Sequence, residues 1–450
     1  MQEARSPKEV VSPAPRLARR LGLFDATMLV MGGIIGSGIF MNPSVVANQV
    51  HSPVLILGAW LLGGLAALAG AFVYAELASL RPDVGGQYAY LREAFHPAVA
   101  FIFGWALLLV TQTGGMAAVA ITFARYFSEL THPPVPDWLI ASAALAFLTV
   151  INCFGVRAGS TLQSTLMVLK IAAIALLVIV GAIAAKESNL LGSPPAASPA
   201  TQDSIPSFGA AMIPVLFAYG GWQTTNFIAG EINNPRKNLP YGLLLGVIGV
   251  AILYLSVNLV CIMVLGAKAL ALTTTPATEV MRQALGERGV IIIALGITIS
   301  TLGFLSQGML TAPRVYFAMA EDKLFFRSVA TIHPTTRVPI VAIAIQGILA
   351  IIITLSGKYE QILNYVVSTD FIFFGLTATT IFVFRRRLAG NGEIDAFRTP
   401  GHPFTTLFFI AVCWLVVLST IYTYPVNSAI GIGIMLTGIP VYFYWSRKKS

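Results

Sequence analysis

The stretch Gly32-Gly33-Ile34-Ile35-Gly36-Ser37-Gly38-Ile39-Phe40 decides the fold. It sits in the middle of an apolar run, 22–48, long enough to cross a membrane as a helix. Glycine weakens a helix, and Gly36-Ser37-Gly38 can unwind this one at mid-membrane. Irregular backbone at that depth is tolerated only where protein or a water-filled cavity surrounds it. The alternative is close helix packing through small residues, which is common in membranes, and taken alone the stretch favours that reading. A second stretch changes the balance. Phe217-Ala218-Tyr219-Gly220-Gly221-Trp222 again places adjacent glycines in the middle of an apolar run.

Working outward, the composition sets the frame. Of 450 residues, 56% are hydrophobic and only 10% are charged, where soluble domains carry about a quarter. That excludes a soluble enzyme, a secreted domain and a disordered chain, and leaves an all-α polytopic membrane protein. Period-two alternation, the mark of a barrel, is absent. Twelve apolar segments can be read: 22–48, 54–80, 96–127, 137–155, 161–185, 207–232, 239–267, 289–319, 338–356, 361–384, 403–423 and 426–446. With the N-terminus, alternate loops and the C-terminus assigned to one side, that side holds 21 of the 28 Lys and Arg residues. Both termini are therefore expected to be cytoplasmic in a multi-pass protein of the cell inner membrane. The net charge of +9 reports orientation rather than nucleic acid binding.

The glycine breaks fall in the first and sixth of twelve spans. Interrupted helices at matching places in two halves point to a transporter binding site. The expected organisation is a tail at 1–20, a five-helix repeat at 21–185, an outer loop at 186–206, a second and inverted repeat at 207–384, an inner loop at 385–402, two added helices at 403–446 and a tail at 447–450. No cleaved signal peptide is expected. A short helix from Thr278 to Gly286 is expected over the outer face. Cys153, Cys261 and Cys413 lie in apolar stretches and the five His are scattered, so no disulfide framework, metal or cofactor is expected.

An unwound helix frees N–H groups at the start of one half and C=O groups at the end of the other. The N–H end favours an anion such as a carboxylate, and the carbonyl end favours a cation such as an ammonium. One small molecule carrying both groups a few ångström apart is an α-amino acid.

Further motifs agree. Tyr74-Ala75-Glu76-Leu77 with Pro82, Gly85-Gly86 and Tyr88, the run Glu231-Ile232-Asn233-Asn234-Pro235-Arg236-Lys237-Asn238-Leu239-Pro240, and Arg314-Val315-Tyr316-Phe317-Ala318-Met319-Ala320 join the two glycine stretches. With these the chain resembles the amino acid–polyamine–organocation (APC) transporter superfamily, and within it the L-type amino acid transporter branch. The resemblance implies a LeuT-type 5+5 inverted repeat plus two C-terminal helices, working by alternating access. It implies a substrate carboxylate on the N–H groups of Ser37 and Gly38 and an ammonium facing carbonyls of Ile34, Phe217 and Gly220. The Phe217 ring would act as outer gate. Gln223 stands where relatives often carry Asn, and Tyr254 matches a tyrosine near the site. Animal relatives are disulfide-linked to a heavy subunit through a Cys between spans three and four. Thr131-His132-Pro133-Pro134-Val135-Pro136-Asp137 has none here, so the chain is expected to work alone, as a monomer.

Two charges lie inside spans. Lys170, in Met167-Val168-Leu169-Lys170-Ile171-Ala172, costs about 2.5–3.5 kcal/mol to insert at mid-membrane. Snorkelling to an interface is the plain explanation. At nine residues from the span's inner end, roughly 13 Å, that reach is strained. The ammonium is better used on carbonyls of the unwound first span. In the resembling family a lysine here replaces the sodium ion of sodium-coupled members, which implies sodium independence. A part in proton coupling is the other use for such a buried lysine. Asp370, in Ser368-Thr369-Asp370-Phe371, is either a proton-linked site or the partner of a buried polar group, with the structural role ahead. Glu76 and Glu231 are expected to pair with arginines of inner loops. Asp25 is either an N-terminal helix charge or an inner-gate partner. Gln112, Thr113, Thr224, Thr225, Asn226, Ser300, Thr301 and Ser306 could line a pocket, though most suit helix packing.

The expectation is a sodium-independent transporter of neutral L-amino acids, large or medium in size, working as an exchanger. A proton-coupled symporter shares every motif. A channel would need a continuous polar pore or charged ring, and an enzyme a clustered set of catalytic groups. Neither is visible, and a sensor has no signalling domain to support it.

Overall fold

In the computed structural model, residues 19–82, 84–185, 205–356, 359–388 and 396–447 are described. Most of the two expected tails and of the 186–206 loop lies outside them. Among the described residues the regular structure is all helical, apart from one isolated bridge between Leu21 and Ile232.

The first apolar run is two helices, α1 (Leu23–Ile34) and α2 (Gly38–Gln49), bent by 41° at a break of three residues. Asp25 accepts the Gly22 N–H at 2.9 Å, so it caps α1. After α3 (Pro53–Leu80) and the short α4 (Gln87–Ala94), the third run begins as α5 (Pro97–Ala106). It loosens into a π turn, Leu107–Thr111, before α6 (Gln112–Thr131). In the sequence this is a single apolar segment, 96–127, with no break marked in it. The Thr113 hydroxyl donates to the Leu108 carbonyl at 2.7 Å and so satisfies a backbone acceptor in the turn. Next come α7 (Asp137–Cys153), α8 (Val156–Ala184) and α9 (Ile205–Tyr219). Beyond Gly220-Gly221 the sixth run continues as a tight 3-10 helix, Trp222–Glu231. Then follow α10 (Pro235–Leu272), the short α11 (Pro276–Leu285), α12 (Glu287–Thr311) and α13 (Pro313–Glu321). The last are α14 (Ile340–Ser356), α15 (Tyr359–Leu388), α16 (Phe404–Thr423), α17 (Pro425–Leu436) and α18 (Gly438–Arg447). The short helix expected near 278–286 is α11.

Among the described residues, eight helical stretches are long and apolar enough to span a bilayer, and the bent α1–α2 pair makes nine. The fourth and ninth expected spans are the shorter apolar helices Asp137–Cys153 and Ile340–Leu355. The chain is thus a multi-pass membrane protein.

α1 packs on α10 with its glycines inward: a Cβ at Gly242 or Gly246 would stand 2.8 Å from Ala26 Cβ and 2.5 Å from Val30 Cγ1. α12 lies between α6 and α8. Three arginines carried by helices rather than by loops, Arg385, Arg314 and Arg92, pair with carboxylates. Arg385 grips Glu76 at 2.7 and 2.8 Å, while the Thr399 N–H adds a third bond to that carboxylate. Arg314 grips Glu231 at 2.7 and 3.3 Å, both side chains fully buried. Arg92 meets Asp322 at 2.6 Å, and the Tyr88 hydroxyl donates to the same carboxylate. Partial burial alone would lower the Arg92 guanidinium pKa. The bond to Asp322 and the surrounding charges outweigh it, and the net direction is up.

Candidate substrate-binding site

The two breaks face each other. Gly221 has φ +103, a backbone conformation that favours glycine. A Cβ on it would stand 2.0 Å from the Gly33 carbonyl oxygen, and a Cβ on Gly33 would stand 2.6 Å from the Gly221 oxygen. Main chain therefore crosses main chain, and no side chain fits between. Close by, a Cβ on Gly38 would meet the Ala218 Cα at 3.0 Å. The glycines of both runs serve packing and breaking together: Gly32 and Gly33 are contact points, and helix α1 ends just beyond them.

A cavity of about 780 Å3, open space at its mouth included, lies against this crossing. From the first run it is lined by Gly33, Ile34, Gly36, Ser37 and Gly38, and from the sixth by Phe217, Ala218, Gly220, Gly221, Gln223 and Thr224. α6 contributes Gln112, α12 contributes Phe304 and Gln307, and α15 contributes Val366, Val367, Asp370 and Phe371. The first turn of α2 presents the N–H groups that a helix start leaves without intrahelical partners. The Ser37 hydroxyl beside them is buried and, among the described residues, makes no hydrogen bond. This end suits a carboxylate.

The carbonyl side is partly engaged. Ile34 O accepts the Tyr254 hydroxyl at 3.1 Å, and Phe217 O accepts the Gly220 N–H at 3.1 Å. Each oxygen keeps a second lone pair. Tyr254 itself does not line the cavity. It is fully buried behind the crossing, and its hydroxyl reaches both Ile34 O and Ala218 O, at 3.1 and 3.2 Å. Its place is that of a strut joining the two broken helices, because Trp60 and Tyr219 hold its ring away from the cavity. Gln223 lines the cavity while its Oε1 accepts the Gly221 N–H at 3.0 Å.

Lys170 reaches the first break from outside the cavity. Its Nζ lies on the carbonyl of Ile35 and 3.5 Å from that of Gly32, with the residue fully buried. Gly303 of α12 makes room for it: a Cβ there would stand 3.2 Å from Lys170 Cε. Asp370 lines the cavity on the α15 wall.

Of the other polar candidates, Gln112 and Thr224 face the cavity, whereas Thr113, Thr225, Asn226, Ser300, Thr301 and Ser306 do not. Sequence reading did not single out Phe304 and Gln307. They flank Ser306 on α12, and only the packed helix tells which side of it meets the cavity. Gln307 Nε2 donates to Thr224 Oγ1 at 2.6 Å, and that hydroxyl donates to Gly221 O at 2.7 Å, so a side-chain relay braces the second break.

Residues 21–445 match the amino acid permease family. The chain belongs to the amino acid permease family. As a permease it shares 32% identity over 445 residues with the serine/threonine exchanger SteT of Bacillus subtilis (strain 168), covering 96% of this chain and 98% of that one. It shares 29% over 444 residues with the human large neutral amino acids transporter small subunit 2, covering 96% and 82%. It shares 26% over 441 residues with the human cystine/glutamate transporter, covering 96% and 87%. This permease is therefore an amino acid transporter of the APC superfamily, similar to its L-type branch, and not an enzyme.

Proposed function

We propose that this permease exchanges L-amino acids across the cell inner membrane by alternating access, without sodium. The observation that carries the reading is the lysine at the first break. Where a free cation would otherwise be needed to satisfy the Gly32 and Ile35 carbonyls, the Lys170 ammonium already occupies them. The α-carboxylate would sit on the N–H groups at the start of α2, with the Ser37 hydroxyl as an added donor. The α-ammonium would take the remaining lone pairs of Ile34, Phe217 and Gly220. Phe217, half-buried on the cavity wall, would close over the cargo as outer gate.

The relatives' names support amino acid cargo, and one of them is named an exchanger. In this reading the architecture is twelve spans, with two inverted five-helix repeats followed by two further helices. Both termini are cytoplasmic, and the chain works alone as a monomer. The mostly apolar wall, Val366, Val367, Phe304 and Phe371 among it, fits a neutral side chain.

The test is uptake of labelled amino acids into proteoliposomes. Uptake should rise several-fold with amino acid inside and be unaffected by replacing sodium with choline. Lys170→Ala should fold and lose at least about 90% of this exchange. Sodium-dependent uptake, or normal exchange by Lys170→Ala, would overturn the reading. Net uptake driven by a pH gradient would favour the proton-coupled symporter instead.

A further inference from the structure

Among the described residues, Asp370 is the one ionisable side chain on the cavity wall. It is partly exposed to that space. Among the described residues it makes no hydrogen bond or ion pair, and no basic residue shares the cavity with it. The one lysine near the site is spent on the Gly32 and Ile35 carbonyls. The Gln307 amide is spent on Thr224. The residues that share the α15 wall with Asp370 are apolar: Val366, Val367, Phe371 and Phe374, with Phe371 edge-on to Phe374 at 5.2 Å between centroids.

A carboxyl group left against such a wall without a donor is costly, and buried polar groups normally find one. The breaks provide for the two charged ends of an amino acid, so what remains of the cargo is its side chain. We propose that Asp370 is the specificity-determining residue of this site, and that the preferred cargo is an amino acid whose side chain carries a hydrogen-bond donor, a hydroxyl or an ammonium. The inference rests on the amino acid reading above: a hydroxyl would narrow its neutral cargo, and an ammonium would replace that cargo by a basic one. A side chain without a donor leaves the carboxylate unpaired when the cavity closes and excludes water. Sites built around such a pairing reject near-isosteric analogues that lack the group.

Near-isosteric pairs test this. In proteoliposomes holding the parent protein, unlabelled L-threonine competes against L-valine, and L-lysine against L-norleucine, for uptake of the labelled amino acid that is taken up best. The donor-bearing member should compete at a concentration lower by at least about tenfold in one pair. A preference confined to threonine assigns a hydroxyl, and one confined to lysine assigns an ammonium. In Asp370→Asn the ratio should shrink, and in Asp370→Leu it should disappear. Equal competition within both pairs in the parent overturns the proposal and needs no variant to fold. So does a ratio that survives in Asp370→Leu. So does an intact ratio in Asp370→Asn accompanied by loss of a dependence on the proton gradient, which makes the carboxyl group a proton carrier. If no amino acid competes, the amino acid reading has failed and takes this inference with it, a result distinct from equal competition.

Discussion

Gly221 is held at φ +103 with the Gly33 carbonyl where its side chain would be. Gly221→Ala should cost about 3 kcal/mol or more, combining backbone strain with a clash against main chain that has no rotamer to yield. Gly433→Ala, where nothing lies within 4 Å, should be neutral or stabilising by up to about 1 kcal/mol. Unfolding in detergent measures both, and a Gly221→Ala protein as stable as its parent would show that the main chains are not in contact. The glycine stretches were legible as breaks only together, because either one alone suits close helix packing and the matching places of the two are what point to a broken pair. Lys170 was legible because a single ammonium among Met, Val, Leu and Ile has to be used. Gly303, which makes room for it, was not, since a glycine on a packed helix looks the same whatever it faces. Tyr254 was placed at the substrate from likeness alone, and ring packing against Trp60 and Tyr219 puts it one layer back.

At the scale of elements, the two broken runs are tied together at the end away from α2. Glu231, at the close of the 3-10 helix, gives its carbonyl to the N–H groups of Arg20 and Leu21 at 2.9 and 3.1 Å. Asn233 N–H returns a bond to Leu21 O at 2.8 Å. The Glu231 carboxylate is in turn gripped by Arg314 from α13. A strap thus joins the entry of α1 to the exit of the sixth run. Removing one partner of a buried ion pair strands the other, so Arg314→Ala should cost about 3–5 kcal/mol. Arg282→Ala, at an exposed pair with Glu279, should leave the unfolding midpoint where it was. Equal midpoints for the two variants would mean that the buried pair carries no weight. The sequence pointed to Glu231 as an ion-pair partner but not to the main-chain strap, which depends on a tertiary meeting of residues two hundred apart. The π turn in the third run was hidden for a similar reason: Leu107–Thr111 contains neither glycine nor proline to betray it.

For the whole molecule, composition alone was enough for a helical membrane protein, because so few charges cannot cover a soluble surface. The number of spans was harder to read. Helices such as Asp137–Cys153 and Ile340–Leu355 are 17 and 16 residues long, or about 25 Å at 1.5 Å per residue, against a hydrocarbon core of about 30 Å. Orientation can be measured directly. Cys261 and Cys413 are buried and Cys153 is half-buried, so background labelling should be low. In intact cells an impermeant thiol reagent should label Arg282→Cys, in the outer helix α11, at once. Arg327→Cys should be labelled only after the membrane is opened. The reverse pattern would invert the proposed topology.

The lysine at the first break has one more consequence. A cation bound to the chain by four methylene groups cannot leave with the cargo, as a dissolved ion can. Under the proposed reading no sodium ion then crosses with the cargo, and no sodium gradient lends its free energy to the step. Under the proposed exchange, a cell can concentrate one amino acid by this route only by letting another run down its own gradient. The protein would trade nutrients rather than accumulate them.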